Sequence, residues 1–184
     1  MVNIGYELYC KMVDDAVRAL QGEIVNEEKE EITVNLKASA YIPEEYIYEE
    51  SIKLQMYKKI AAVRGREDED EIINELIDRF GDVPQPAINL IKISHIRYLA
   101  GLLSITDIQQ QGNKVILNFA EKNALSGFGL ADATARFGPK LFIHGGQVPF
   151  VRLTVNEKKN LEETLELLEV LAENRAGRHE ERRS

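Results

Sequence analysis

Glu75-Leu76-Ile77-Asp78-Arg79-Phe80-Gly81-Asp82-Val83-Pro84 holds the end of a helix, its stop signal and a dense set of charges. Taken with the residues before it, the stretch places Ile72, Ile73, Leu76, Ile77 and Phe80 on an apolar stripe at helical spacing. Glu71, Glu75, Asp78 and Arg79 fall on the other side. Gly81 directly after Phe80, with Pro84 just beyond, ends the pattern, so a helix is predicted over 68–80. The acidic run Glu67-Asp68-Glu69-Asp70-Glu71 suits its first turn, where carboxylates meet the positive end of the helix dipole. The charged side has a plain reading, a solvated face with one Glu75–Arg79 pair worth about 0.3–0.5 kcal/mol. It also has a functional one, a compact patch that meets a partner's arginine or carboxylate. Composition alone favours the first, because charge runs usually face water.

Working outward, the C-terminal side continues with a helix over 84–103 through Ile88, Ile91, Ile96, Leu99 and Leu103. Two strand-like runs, 105–110 and 114–119, flank Gly112-Asn113 and read as a hairpin. A helix over 123–137 is weakened by Gly127 and Gly129. Strands over 141–144 and 150–155 surround Gly145-Gly146, and Leu161, Leu165, Leu168 and Leu171 mark a terminal helix over 157–174. The polar tail 175–184 is expected to be disordered. On the N-terminal side, a helix over 49–64 carries Ile52, Met56, Tyr57, Ile60 and Val63, and Pro43 forces a turn before it. Residues 32–40 alternate as a half-buried strand. An acidic linker, 23–31, separates that strand from a helix within 1–22 bearing Tyr6, Tyr9, Cys10, Val13, Val17 and Leu20. This order, without a βαβ rhythm or an internal repeat, gives an α+β class: helices on a small, mostly antiparallel sheet. The domain is expected to span 32–174, with the N-terminal helix leading in from an upstream domain.

Length and charge narrow the function classes. The chain has 184 residues, enough for one domain with an appendage and for a core that needs no disulfide or metal staple. Lysine and arginine number 23 against 31 aspartates and glutamates, so the net charge is 23 − 31 = −8. Neutralising phosphates requires a basic surface, which argues against nucleic-acid binding as the main task. The single cysteine, Cys10, excludes a disulfide framework and a multi-cysteine zinc site. No run approaches a membrane span, and the N-terminus lacks a signal-peptide pattern, so a cytoplasmic chain without a membrane partner is expected.

Candidates for catalysis are few. His95, His144 and His179 stand in no metal-ligand spacing, and Cys10 on an apolar helix face reads as a small hydrophobe. There is no P-loop, and Gly127-Phe128-Gly129 and Gly145-Gly146 lack the strand-to-helix context of a nucleotide site. Adjacent carboxylates such as Glu44-Glu45 do not face one another on a helix. No catalytic, metal or cofactor-binding residue is assigned.

Three blocks point further. Ala40-Tyr41-Ile42-Pro43-Glu44-Glu45-Tyr46-Ile47, Leu54-Gln55-Met56-Tyr57-Lys58-Lys59-Ile60-Ala61 and residues 75–84 resemble, in order and spacing, the C-terminal domain of bacterial transcription-repair coupling factors (Mfd). The resemblance is good over about 32–120; residues 3–17 look like the helix that follows the translocation motif in those proteins. Lys53 stands where the family usually has arginine, and Ser104 where a glycine is common. The resemblance implies a fragment of an ATP-driven double-stranded DNA translocase that displaces stalled RNA polymerase and recruits UvrA. ATP and magnesium would then belong to absent motor domains. It implies that this domain packs on the UvrB-like N-terminal module and masks its UvrA-binding surface as an autoinhibitory clamp. The interface would map onto Glu75, Asp78 and Arg79, with Phe80 anchoring the helix. The alternatives are a DNA-contacting appendage that assists translocation and a free-standing enzyme, which needs a cleft of titratable groups around His95 or His144.

Overall fold

The computed structural model describes residues 32–120 and 129–181, with side chains as far as Glu173. In chain order its elements are β1 (Thr33–Asn35), α1 (Glu50–Ala61), α2 (Arg66–Phe80), α3 (Gln85–Leu102), β2 (Ile105–Gln111), β3 (Lys114–Phe119), α4 (Leu130–Phe137), β4 (Leu141–His144), β5 (Phe150–Thr154) and α5 (Asn160–Glu181). Short 3-10 turns, Gly138–Lys140 and Glu157–Lys159, lead into β4 and α5. The fold is α+β, as the pattern predicts. The helix and linker read over 1–22 and 23–31 lie outside the described residues, as do residues 123–128 of the helix read over 123–137. Within the span read as one domain, the chain divides into two compact units, 38–94 and 32–37 with the residues from 95 onward. α3 contributes to both.

In the first unit, the segment 38–49 is irregular because Pro43 interrupts it. The carbonyl of Pro43 accepts from the backbone of Tyr46 at 3.1 Å and of Ile47 at 3.2 Å, closing a turn. α1 then buries Met56 and Ile60, and Val63 follows in the connection. Ser94 of α3 donates to the Ile60 carbonyl at 2.7 Å, the same carbonyl that accepts from the Val63 backbone at 3.1 Å where α1 ends. At the start of α2, the Asp68 carboxylate accepts from the Arg64 backbone at 2.6 Å, and Glu67, Asp68 and Glu69 fill the first turn. At its end Gly81 adopts φ 82° and ψ −155°, a region that only glycine enters readily.

The apolar stripe of α2 is narrower than its sequence suggests. Ile72 and Leu76 are buried, whereas Ile77 is 47% exposed. The buried row runs through Glu69, Ile72 and Leu76, at i, i+3 and i+7, so a carboxylate takes a place that the hydrophobic pattern would give to an aliphatic side chain.

In the second unit, the five strands are ordered β1-β2-β3-β5-β4, antiparallel except for β1, which pairs parallel with β2. Gly112 takes φ 60° at the first central position of the two-residue turn between β2 and β3, the hairpin read from sequence. Val115, Leu117, Val151 and Leu153 are fully buried on one face. The alternate positions, among them Ile116, Arg152 and Phe142, make the other. Each fully buried aliphatic side chain contributes about 1.5–3 kcal/mol of transfer free energy.

Two boundaries differ from expectation. Burial does alternate from Ile32 to Ala40, yet the ladder of β1 stops at Asn35. There the Lys37 backbone turns to the side chain of Gln110, 2.9 Å away, and Asn160 donates to the Lys37 carbonyl at 3.1 Å. Side chains thus replace the next rungs. α5 continues to Glu181, past the point where the tail was read as disordered, because Arg175, Ala176 and Glu180 are good helix formers and one glycine, Gly177, costs only about 1 kcal/mol. Leu161, Leu165, Leu168 and Leu171 are all buried, as their register predicts. Among the described residues no helix is long and apolar enough to cross a membrane.

Candidate functional site

The charges of the 75–84 block are organised around one carboxylate. Lys59 donates to both oxygens of Glu75, at 2.8 Å to Oε1 and 2.6 Å to Oε2, and Arg79 donates to Oε1 at 2.8 Å. The Arg79 pair is the i,i+4 contact expected from sequence. The Lys59 pair reaches from the last turn of α1, 16 residues away in sequence, and no helix-local rule would have found it. The Lys59 hydrogen bond holds the Glu75 carboxyl below the usual carboxylate range, desolvation opposes it, and Arg79 adds to the lowering.

Arg79 is fixed from several sides. Its guanidinium carbon lies 4.9 Å from the centroid of the Phe80 ring, and Nη1 is 3.9 Å from the sulfur of Met56. Such cation–π contact contributes about 0.5–1 kcal/mol at an exposed site. Phe80 in turn meets Tyr46 edge-on, with centroids 5.8 Å apart at 62°. The Tyr46 hydroxyl stands 3.2 Å from the Leu76 carbonyl and 3.1 Å from that of Gly81, so its single proton serves the end of α2. Burial raises the pKa of this phenol above its ordinary value, and the negative charge of Asp82 adds to the effect.

Asp78 differs from Glu75. It is exposed and, among the described residues, has no hydrogen bond or ion pair. The three sequence-assigned positions are therefore brought together on one helix but in unlike states: Glu75 bridged, Arg79 braced, Asp78 open.

The three blocks singled out by sequence converge here. Tyr46 from the first holds the end of the third. Tyr57 from the second accepts from the Ile42 backbone of the first at 3.0 Å, and Lys59 from the second binds Glu75 of the third. Tyr46 and Lys59 are the residues that sequence reasoning left without a role. Lys53, in α1, is buried against Glu50 at 3.0 Å. That hydrogen bond raises its pKa above the ordinary lysine value, desolvation opposes it, and Glu50, Glu44 and Tyr57 add.

The histidines stand elsewhere. His95 is buried and engaged, and His144 stacks on Phe150 with centroids 4.9 Å apart. The side chain of His179, and Cys10, lie outside the described part. Among the described residues no three histidine, cysteine or acidic side chains gather as a metal-binding group.

Comparison with known proteins bears on this arrangement. The family model described as the TRCF domain matches residues 36–130. The chain is similar to the transcription-repair-coupling factor of Bacillus subtilis, 30% identical over 146 residues, covering 79% of the chain and 12% of that protein. To the transcription-repair-coupling factor of Escherichia coli it is 32% identical over 127 residues, covering 67% of the chain and 11% of that protein. A crystal structure of the C-terminal domain of a transcription-repair coupling factor superimposes with a TM-score of 0.71 at 24% identity, covering 82% of the chain and 98% of that structure. The chain thus spans about a tenth of the length of these curated relatives.

Proposed function

The chain belongs to the TRCF domain family of transcription-repair coupling factors, and on that premise we propose that it is a non-catalytic regulatory domain acting through the α2 face. In this reading it packs on a UvrB-like N-terminal module of the same parent protein. There it covers the surface that UvrA would bind. Closed, the patch of Glu75, Asp78 and Arg79 is engaged in cis; open, the module is free for UvrA. The ATP-driven translocation of double-stranded DNA and the displacement of stalled RNA polymerase, with their ATP and magnesium, would belong to other parts of the parent protein, in the cytoplasm.

One observation carries the reading: a charged cluster braced on rigid helices that still leaves Asp78 exposed and unpaired among the described residues. A merely solvated face has no need of such bracing. Polar and charged contacts of this kind give register and selectivity more than raw affinity, which suits a contact that must release. The net charge of −8 weighs against the DNA-contacting appendage.

The test is binding of the chain to the UvrB-like module of its parent protein, added in trans, at two salt concentrations. Replacing Glu75, Asp78 and Arg79 together by alanine should abolish measurable binding while circular dichroism stays unchanged. Affinity that survives the triple substitution would place the interface elsewhere, and salt-sensitive binding to duplex DNA by the chain alone would favour the appendage.

A further inference from the structure

We propose that the open face of the sheet in the second unit is a docking surface for single-stranded RNA. The strand register sets this face out in rows. One row crosses all five strands through Asn35, Gln109, Ile116, Arg152 and Phe142, and the next ends in Asn118, Phe150 and His144. These positions alternate with the buried Val115, Leu117, Val151 and Leu153.

At the β4 edge the planar side chains are stacked on one another. The Arg152 guanidinium carbon lies 4.6 Å from the centroid of Phe142, the Phe142 and Phe150 centroids are 5.9 Å apart, and His144 stacks on Phe150. Gly146 leaves room for the imidazole, which a Cβ at that position would meet. Phe142 is nevertheless 46% exposed, and His144 is exposed as well. Rings held in the open by their neighbours offer π-faces to unpaired bases, and stacking of this kind tolerates any sequence.

The charges on the face fit a polyanion. Lys114 on β3 and Arg152 on β5 have no ion pair among the described residues. Asp107 is the one carboxylate on the five strands, and it is engaged, accepting from Asn118 at 2.9 Å and from Gln109 at 3.3 Å. The excess negative charge of the chain therefore lies away from this face. Two cations are few for a duplex, whose binding rests on phosphate neutralisation. The neutral groups decide the kind of strand. Exposed Thr33, Asn35 and Gln109 share the face, and hydroxyls and amides can pair with the 2′-hydroxyls that set RNA apart from DNA. An acidic peptide would satisfy the cations but leave the stacked rings without a counterpart.

Fluorescence anisotropy of a labelled oligouridylate of about twelve nucleotides, titrated with the whole chain, tests the proposal. It should bind saturably and about threefold or more tightly than the matching oligodeoxyuridylate or an RNA duplex of that length. Phe142→Ala should weaken binding about tenfold, and Phe142→Tyr should retain it. Lys114→Gln should lower the salt slope by about 0.7. Arg136→Gln, which removes an exposed cation on α4 away from the sheet, should leave affinity and slope unchanged. Circular dichroism should be the same for all of these variants. Native affinity in Phe142→Ala, equal affinity for the deoxy strand, or no saturation at about 1 mM chain would each overturn the proposal. So would a polyglutamate peptide of the same length that binds as tightly as the oligouridylate, because the face would then read charge alone.

Discussion

Removing the hydroxyl of Tyr46 tests the link that ties the first signature block to the third. In Tyr46→Phe the ring and its edge contact with Phe80 remain, and only the bonds to the Leu76 and Gly81 carbonyls are lost. Both distances are longer than the usual O–H···O bond, one proton serves both acceptors, and the Leu76 carbonyl lies within a helix whose own ladder also uses it. The loss should therefore sit at the lower end of a neutral hydrogen bond, about 0.5–1 kcal/mol. For a chain of this size that is a fall of about 1–4 °C in melting temperature. Tyr46→Ala also loses the aromatic contact, about 0.5–1.5 kcal/mol, together with apolar burial, and should fall clearly further. Urea titrations of the three proteins at neutral pH, with equal m-values, give the comparison. A second consequence appears in alkali. The phenol pKa is raised in the folded state, so its contribution is whole below the unfolded value near 10 and is lost as pH rises through the folded one. Tyr46→Phe should lose less stability than the native chain over that range. A Tyr46→Phe variant as stable as the native chain at pH 7, with an unchanged alkaline profile, would refute the role given to the hydroxyl.

Three further outcomes follow from single groups. Because Lys59 and Arg79 hold the Glu75 carboxyl low, its stabilisation is present above the unfolded value of about 4.3 and is lost as pH falls through the folded one. With both cations substantially exposed it amounts to about 0.5–1 kcal/mol, so the stability gap between the native chain and Glu75→Gln should close between pH 6 and pH 2 in urea titrations. Gly81→Ala should cost about 1–3 kcal/mol in chemical denaturation, through φ 82° alone, since no atom lies within 4 Å of the added Cβ. Ser104 holds φ 56°, the left-handed region, so Ser104→Gly should raise stability by about 0.5–1 kcal/mol despite the extra freedom of glycine in the unfolded chain.

Most helices were legible because their apolar residues repeat at helical spacing and glycine or proline marks their ends. α2 is the clearest case: Gly81 both stops the pattern and takes a conformation denied to other residues. Ser104 shows the converse. A serine gives no sequence signal of strain, yet its backbone is left-handed. What could not be read are features made by elements far apart in sequence. β1 is short because Gln110 and Asn160 intercept the backbone of Lys37, partners 73 and 123 residues away. In the site, the Glu75–Arg79 pair was readable from one helix, but Lys59 and Tyr46 enter from other segments and become visible only once α1, α2 and the Pro43 turn are folded together. The three blocks are joined in the fold by the bonds of Tyr46, Tyr57 and Lys59.

The clamp proposed above also sets how strong this face must be. At an effective concentration of about 1 mM, a contact of about 10 µM intrinsic affinity keeps about 99% of molecules closed. That affinity corresponds to about −6.8 kcal/mol, within reach of a small polar surface whose side chains are already oriented. A tenfold loss at Asp78 then opens about a tenth of the molecules, and two such losses open about half. Graded opening of this kind, rather than a single threshold, is what UvrA capture by the full-length parent protein should show for Asp78→Asn and for the Asp78→Asn/Arg79→Gln pair. If Asp78→Asn alone released the module fully, the contact would be far weaker than the clamp requires. If the double variant stayed closed, another surface would be holding the domain in place.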